Sequence, residues 1–99
     1  MLNILKTIDN DKAYFVLEGR LDTNTSPELE KEIRDCGDGL NEMTLDFAKL
    51  EYISSAGLRV LLAAQKVMSL RGGMKVANVN DAIMEIFEVT GFSEILTIE

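Results

Sequence analysis

The sequence contains no histidine, and this absence limits the chemistry that the chain can perform by itself. Histidine is the usual base of Ser-His-Asp and Cys-His sites, the commonest metal ligand and the side chain that titrates near neutral pH. The sequence also lacks the phosphate-binding pattern G-x-x-x-x-G-K-[ST]. We therefore expect no metal site, no cofactor and no catalytic residue, which means that the chain is not expected to be an enzyme.

Cysteine and long apolar runs are scarce as well. Cys36 is the single cysteine in 99 residues, so an intrachain disulfide is impossible and an oxidising compartment is not implied. Its place in a helical pattern indicates a small buried side chain. No stretch approaches the roughly 18 apolar residues that a membrane span needs, and Met1 to Lys6 lack the apolar run of a signal peptide. We therefore expect a cytoplasmic chain without a membrane span.

Positive charge is in short supply. The chain has 10 Lys and Arg residues against 17 Asp and Glu residues, which gives a formal net charge of -7. A surplus of negative charge repels the phosphates of nucleic acids and anionic lipids. Nucleic acid is therefore not an expected partner, and a protein with a basic contact surface fits the charge better.

The apolar content is sufficient for one folded unit. With 99 residues and 46% apolar residues, the chain can bury one core, so a single domain over residues 1–99 is predicted. Alternation of apolar residues predicts a strand over 2–8, and turn residues 9–11 then lead to a second strand over 13–17, which together form an antiparallel hairpin. Because the second run is nearly all apolar, we expect it in the middle of the sheet with both faces covered.

Strands and helices alternate in the rest of the sequence. A capping box of Thr25 and Glu28, with Pro27 between them, predicts the start of a helix that ends near Gly37. The remaining predictions are a strand over 43–47, a mostly buried helix over 56–70, a strand over 74–77, a helix between Asn80 and Gly91, and an edge strand over 95–98. This order indicates an α/β fold with a mixed sheet.

Residues 50–62 carry the most concentrated functional signal, because two serines lie where a strand meets the most apolar helix. Serine is a preferred helix N-cap, worth about 1 kcal/mol, and this structural role explains most serines at such junctions. An exposed hydroxyl at a helix start can also hold a phosphate near free N–H groups. We expect Gly57 to leave room beside Ser54 and Ser55 for a phosphate or a partner's backbone. The nucleophile pattern G-x-S-x-G is incomplete here, which counts against serine hydrolysis.

Two carboxylates are placed near the ends of predicted strands, where open α/β sheets gather ligand sites. Asp22 follows the second strand and Asp46 lies near the end of the third. Asp46 is equally well explained as a solvent-facing strand residue, so both interpretations remain open.

Several motifs together resemble the STAS domain family, specifically the stand-alone bacterial anti-sigma factor antagonists. They are Glu18-Gly19-Arg20-Leu21-Asp22, Leu45 to Leu50, Tyr52 to Leu58 and Gly72-Gly73 before a strand. The resemblance implies an α/β fold in which a mixed four- to five-stranded β-sheet packs against three to four α-helices. It also implies partner switching. The unphosphorylated antagonist binds an anti-sigma factor, which is often an ATP-dependent serine kinase, and phosphorylation releases it. A metal-dependent serine/threonine phosphatase then resets the system.

The same resemblance assigns roles to residues. The family's phosphoacceptor lies two positions before the motif glycine, which is Ser55 here, and many members carry Asp where this chain has the competing hydroxyl of Ser54. The implied partner-binding residues are Asp22, Ser54, Ser55, Ala56, Gly57 and Arg59. A phosphorylation-independent STAS adaptor of a transporter or a larger signalling assembly is the alternative, and the serine in place of aspartate favours it slightly.

Overall fold

A computed structural model describes residues 1–36 and 39–99. The strands are β1 (Leu2–Asp9), β2 (Lys12–Leu21), β3 (Glu42–Ile53), β4 (Met74–Ala77) and β5 (Thr97–Ile98). The helices are α1 (Ser26–Asp35), α2 (Ser55–Ser69), α3 (Asp81–Thr90) and α4 (Phe92–Ile95). The expected end of the first helix at Gly37 lies outside the described residues.

The five strands form one mixed sheet in the order β1-β2-β3-β4-β5. β1 and β2 are an antiparallel hairpin, whereas the pairs β2/β3, β3/β4 and β4/β5 are parallel. Helices connect the parallel strands, as parallel pairing requires. The prediction of an α/β fold with a mixed sheet of four to five strands and three to four helices is confirmed, since the described residues form five strands and four helices.

The core lies between the helices and one face of the sheet. Along β2, Ala13, Phe15 and Leu17 are buried, while Tyr14 between them is 41% exposed. The expectation that both faces of this strand are covered is therefore wrong, because Tyr14 lies on a sheet face that the helices leave open. β2 does lie inside the sheet, between β1 and β3.

β3 is much longer than the predicted strand over 43–47. Its buried residues alternate as far as Phe47 and then recur every third position, at Leu50 and Ile53. The pairing of β2 with β3 shifts register twice, between Val16 and Glu18 and between Gly19 and Arg20. Each shift inserts an extra residue into β3, as β-bulges do, and so breaks the period-2 pattern by which a strand is recognised.

The helix boundaries agree with the sequence where the cap is local. Asn80 caps α3 by accepting a hydrogen bond from the N–H of Ile83 at 2.9 Å, and Gly91 ends it in the left-handed conformation with φ of 83°. The capping box at Thr25 is wrong, because the Thr25 side chain makes no cap hydrogen bond to α1. The last predicted strand is also shorter than expected, since Ile95 belongs to α4 and the strand begins at Thr97.

Candidate functional site

The ends of β2 and β3 meet at one edge of the sheet, and the first turn of α2 begins there. Leu21 and Ile53, the last residues of the two strands, are register partners. The N–H of Ser54 then donates a hydrogen bond of 2.9 Å to the carbonyl of Leu21. This bond continues the β2/β3 ladder by one residue and fixes where α2 starts.

Ser54 is the N-cap of α2. Its backbone is extended, with φ of -99° and ψ of 175°, and its Oγ accepts a hydrogen bond from the N–H of Gly57 at 3.3 Å. This is the geometry by which serine satisfies a free N–H group at a helix start. The Ser54 hydroxyl is therefore engaged inside the protein and is only partly exposed.

Ser55 is the first residue of α2, and its side chain is exposed. Within residues 1–36 and 39–99 its hydroxyl makes no hydrogen bond. The two neighbouring serines thus have different roles, because Ser54 caps the start of α2 and Ser55 faces solvent without a partner in the described chain.

Gly57 is buried against the strands. A Cβ built on it would lie 2.8 Å from Cγ1 of Ile53, 2.9 Å from Cγ of Leu21 and 3.0 Å from the Leu21 carbonyl oxygen. The space beside Gly57 is therefore filled by this chain itself, and the expectation that it is open to a partner is wrong. Gly57 contributes indirectly, by letting α2 approach the ends of β2 and β3 closely.

Asp22 organises the loop between β2 and α1. Its Oδ1 accepts hydrogen bonds from the N–H groups of Asn24 and Thr25, both at 3.0 Å, and from the Thr25 hydroxyl at 3.1 Å. The N–H of Thr25 is the main reason that the pKa of Asp22 lies below its usual range, since hydrogen bonds to a carboxylate favour its charged form. The single proton of the Thr25 hydroxyl is shared with the carbonyl of Arg20, which accepts it at 2.8 Å, and the hydroxyl oxygen accepts from the N–H of Asp22 at 2.8 Å. Thr25 therefore ties the loop together instead of capping α1.

Arg20 lies between Asp22 and Tyr52, and although both Arg20 and Tyr52 belong to the family motifs, neither was predicted as a site residue. They are register partners on β2 and β3. The Arg20 guanidinium lies over the Tyr52 ring, 4.3 Å from its centroid, and Arg20 Nε is 4.0 Å from Asp22 Oδ2. This is a cation–π contact with one additional ionic neighbour. Only the pairing of the strands, which a sequence pattern does not contain, could have indicated it.

Ala56 and Arg59 complete the predicted set on α2. Ala56 is partly exposed and Arg59 is exposed. The structure thus brings Asp22, Ser54, Ser55, Ala56, Gly57 and Arg59 to one edge of the fold, at the ends of β2 and β3 and in the first turns of α2. Gly57 alone among them is turned inward.

Asp46 does not belong to this edge. β3 continues to Ile53, so Asp46 lies well before the strand's end and not near it, as the sequence suggested. It accepts hydrogen bonds from Tyr14 Oη at 2.8 Å, Asn78 Nδ2 at 3.1 Å and the N–H of Ala48 at 2.9 Å. Partial burial opposes the charge of Asp46, but these hydrogen bonds outweigh it and lower the pKa of the carboxyl. Asp46 therefore joins β2, β3 and the segment after β4 across the open sheet face.

A metal site, a reactive thiol and a membrane span have little support among the described residues. Among the described residues, no cluster of three or more His, Cys, Asp or Glu side chains is arranged to hold a metal ion. Cys36 is half-buried against the core, and burial raises the pKa of its thiol, which disfavours the reactive thiolate. No helix formed by residues 1–36 or 39–99 is long and apolar enough to cross a membrane.

Comparison with known proteins identifies the family. The STAS domain model matches residues 3–99, and the chain therefore belongs to the STAS domain family. An anti-sigma-B factor antagonist of Staphylococcus aureus is 31% identical over 98 residues, which cover 96% of this chain and 90% of that protein.

Solved structures share the fold. An anti-sigma factor antagonist from Mycobacterium paratuberculosis superposes with a TM-score of 0.88 at 21% identity, over 99% of this chain and 85% of that one. SpoIIAA, a Bacillus cell fate determinant solved in its phosphorylated form, superposes with a TM-score of 0.75 at 14% identity, over 100% of this chain and 91% of that one. The family and the fold are thus those that the sequence motifs implied. The relatives are named anti-sigma factor antagonists, which also agrees with the motifs.

Proposed function

We propose that this chain is an anti-sigma factor antagonist that works by partner switching, with Ser55 as its phosphoacceptor. The observation that carries the proposal is the difference between the two serines. Ser54 Oγ is engaged with the N–H of Gly57, whereas the exposed Ser55 hydroxyl has no partner in the described chain. A kinase can reach Ser55 without breaking the cap of α2.

The phosphorylation itself is carried out by the partner. A serine-kinase anti-sigma factor transfers the γ-phosphoryl group of ATP to Ser55 Oγ. The bond from the γ-phosphorus to the bridging oxygen breaks, ADP leaves, and a base of the kinase takes the hydroxyl proton. A serine/threonine phosphatase later hydrolyses the phosphoester with water, which returns the hydroxyl and releases inorganic phosphate. This chain supplies the acceptor and no catalytic group.

The phosphate acts on binding through charge and size. It adds about -1.5 to -2 charge at neutral pH, and this anion must lose hydration at the contact, which opposes binding even to a partner surface that is basic overall. The phosphate is added in the first turn of α2, beside the loop that Asp22 holds. A partner surface that fits the small neutral hydroxyl then meets a bulky anion, and the complex dissociates.

The proposed contact surface consists of the exposed and partly exposed side chains at this edge. It contains Asp22, Ser54, Ser55, Ala56 and Arg59 from the sequence prediction, together with Arg20 and Tyr52. Gly57 supports the surface from inside. Tyrosine and arginine are enriched among the residues that dominate binding at interfaces, so Arg20 and Tyr52 are the strongest additions.

The test requires a serine-kinase anti-sigma factor, the partner that this proposal predicts the same genome to encode. Incubation with that kinase and ATP should place one phosphate on Ser55, found by mass spectrometry in the parent and in Ser54→Ala, but not in Ser55→Ala. Calorimetry should show that Ser55→Asp binds the kinase at least tenfold more weakly than Ser55→Ala does. Equal binding of all these variants, with no phosphate found, would instead identify a phosphorylation-independent STAS adaptor.

A further inference from the structure

We propose that Arg59 binds the phosphate on Ser55 within the same helix, so that phosphorylation also withdraws Arg59 from the partner surface. This inference rests on the proposed function, because it concerns the phosphorylated state of the same site. It goes further by assigning the phosphate a specific partner in this chain.

The spacing of the two residues is the first support. Ser55 and Arg59 are four positions apart in α2, which runs without interruption from Ser55 to Ser69. Residues four apart on a helix are surface neighbours, with about 5–6 Å between their Cβ atoms. Both side chains are exposed, so neither has to leave the core to meet the other. The anion precedes the cation along the chain, which is the more favourable order for such a pair.

The availability of Arg59 is the second support. In the part of the chain that the structure describes, Arg59 makes no ion pair, side-chain hydrogen bond or cation–π contact. The first turn of α2 holds no acidic residue that could pair with it. A guanidinium with no partner among the described residues, one helical turn from the proposed phosphoacceptor, matches the fork of oxygens that a phosphate presents.

The other cations fit less well. Arg20 already stacks on Tyr52 and has Asp22 as an ionic neighbour. Lys66 lies in the last turn of α2, about three helical turns from Ser55. Arg59 is therefore the cation that the fold places to hold the phosphate, and Lys66 provides a matched control on the same helix.

One phosphate group therefore changes two features of the partner surface, the hydroxyl of Ser55 and the guanidinium of Arg59. The unphosphorylated surface presents a neutral hydroxyl and a free guanidinium. The phosphorylated surface presents a phosphate whose charge is partly neutralised by Arg59, so an acidic group of the partner loses its cation as well as meeting an anion.

The experiment places phosphoserine at position 55 during translation, so that no kinase is involved. The second pKa of the phosphate, ordinarily about 6, is measured by phosphorus NMR in the parent, Arg59→Gln, Lys66→Gln and Arg20→Gln proteins. Arg59→Gln should raise this pKa by about 0.3 relative to the parent. Lys66→Gln should change the phosphate pKa by no more than about 0.1, since it removes the same charge from a position far from the phosphate.

Thermal unfolding gives a second readout. The change in Tm on phosphorylation should be about 2–3 °C more favourable in the parent than in Arg59→Gln, and equal in the parent and Lys66→Gln. Glutamine is a good helix former, so loss of the helix does not confuse the comparison. The unphosphorylated forms of all four proteins serve as references.

A phosphate pKa that is the same in Arg59→Gln and Lys66→Gln would overturn the inference, and so would a shift in Arg20→Gln alone. Neither result depends on whether a kinase modifies Ser55. Absence of phosphate after incubation with the kinase would refute the proposed function. The ion pair is tested independently of that result, by the phosphate pKa of the protein made with phosphoserine.

Discussion

Replacing Gly57 with alanine tests how closely α2 must approach the strand ends for the site to form. The added Cβ would lie 2.8 Å from Cγ1 of Ile53 and 2.9 Å from Cγ of Leu21, both too short for carbon atoms in contact. Both carbons belong to buried side chains and lie one bond beyond Cβ, and the Leu21 carbonyl oxygen at 3.0 Å is backbone, so none of them moves easily.

The size of the effect follows from two opposing contributions. Overpacking of a close-packed core costs about 1–3 kcal/mol. Alanine is favoured over glycine inside helices by about 1 kcal/mol, and less in the first turn, where Gly57 lies. We therefore expect Gly57→Ala to lower the free energy of unfolding by about 1–2 kcal/mol, which lowers Tm by roughly 5–10 °C in a domain of this size.

The matched control is Gly39→Ala. A Cβ at Gly39 has no atom within 4 Å among the residues that the structure describes, so this variant should change Tm by no more than about 2 °C in either direction. Urea and thermal unfolding of the two variants and the parent give the comparison. If Gly57→Ala were as stable as Gly39→Ala, the close approach of α2 to Leu21 and Ile53 would not constrain position 57, and our account of how α2 meets the ends of β2 and β3 would fail.

Five further substitutions test the site and the open face of the sheet. Ser54→Ala should lower the free energy of unfolding by about 1 kcal/mol because it removes the N-cap, whereas Ser54→Asp should leave it unchanged. Ser55→Ala should change it by less than about 0.5 kcal/mol. Equal losses of stability in Ser54→Ala and Ser55→Ala would contradict the separate roles of the two serines. Asp22→Ala should lower stability and make proteolysis of the loop around Thr25 faster, and an unchanged cleavage rate would show that the carboxylate does not hold that loop. Asp46 has a folded-state pKa below its ordinary value near 3.9, so its contribution is present above about pH 4 and is lost as the pH falls through the folded-state pKa. Asp46→Asn should therefore be less stable than the parent at pH 7 and lose less stability between about pH 4 and pH 2 in urea unfolding, and parallel pH profiles would contradict this assignment.

Local signals in the sequence predicted a large part of this fold. Asn80 and Gly91 bound α3 because a cap and a left-handed glycine act within one helical turn. The hairpin of β1 and β2 was likewise predictable, since turn residues lie between two apolar runs. These features need no information from distant parts of the chain.

The errors arose where distant segments decide the structure. The bulges of β3 exist only in its pairing with β2, so periodicity ended the predicted strand six residues early, at Phe47 and not at Ile53. Thr25 matched a capping box, but its hydroxyl oxygen accepts a hydrogen bond from the N–H of Asp22 and none from the first turn of α1. A pattern of residue types cannot rank such competing partners.

In the candidate site too, local features were predictable from the sequence and features that depend on distant contacts were not. Its position was predictable, because the motif around Ser54 and Ser55 is contiguous. The inward direction of Gly57 and the stacking of Arg20 on Tyr52 depend on the packing of β2 against β3. The separation of the two serines into a cap and an exposed hydroxyl required the backbone conformation at Ser54, which the bond to Leu21 fixes.

The central claim is that the exposed hydroxyl of Ser55 controls partner binding. The most direct measurement is the dissociation constant for the cognate serine-kinase anti-sigma factor, determined by calorimetry with the chain before and after site-specific placement of phosphoserine at position 55. Our account predicts that the phosphate weakens binding by at least tenfold, about 1.4 kcal/mol. An unchanged dissociation constant would contradict the switch and favour a constitutive STAS adaptor.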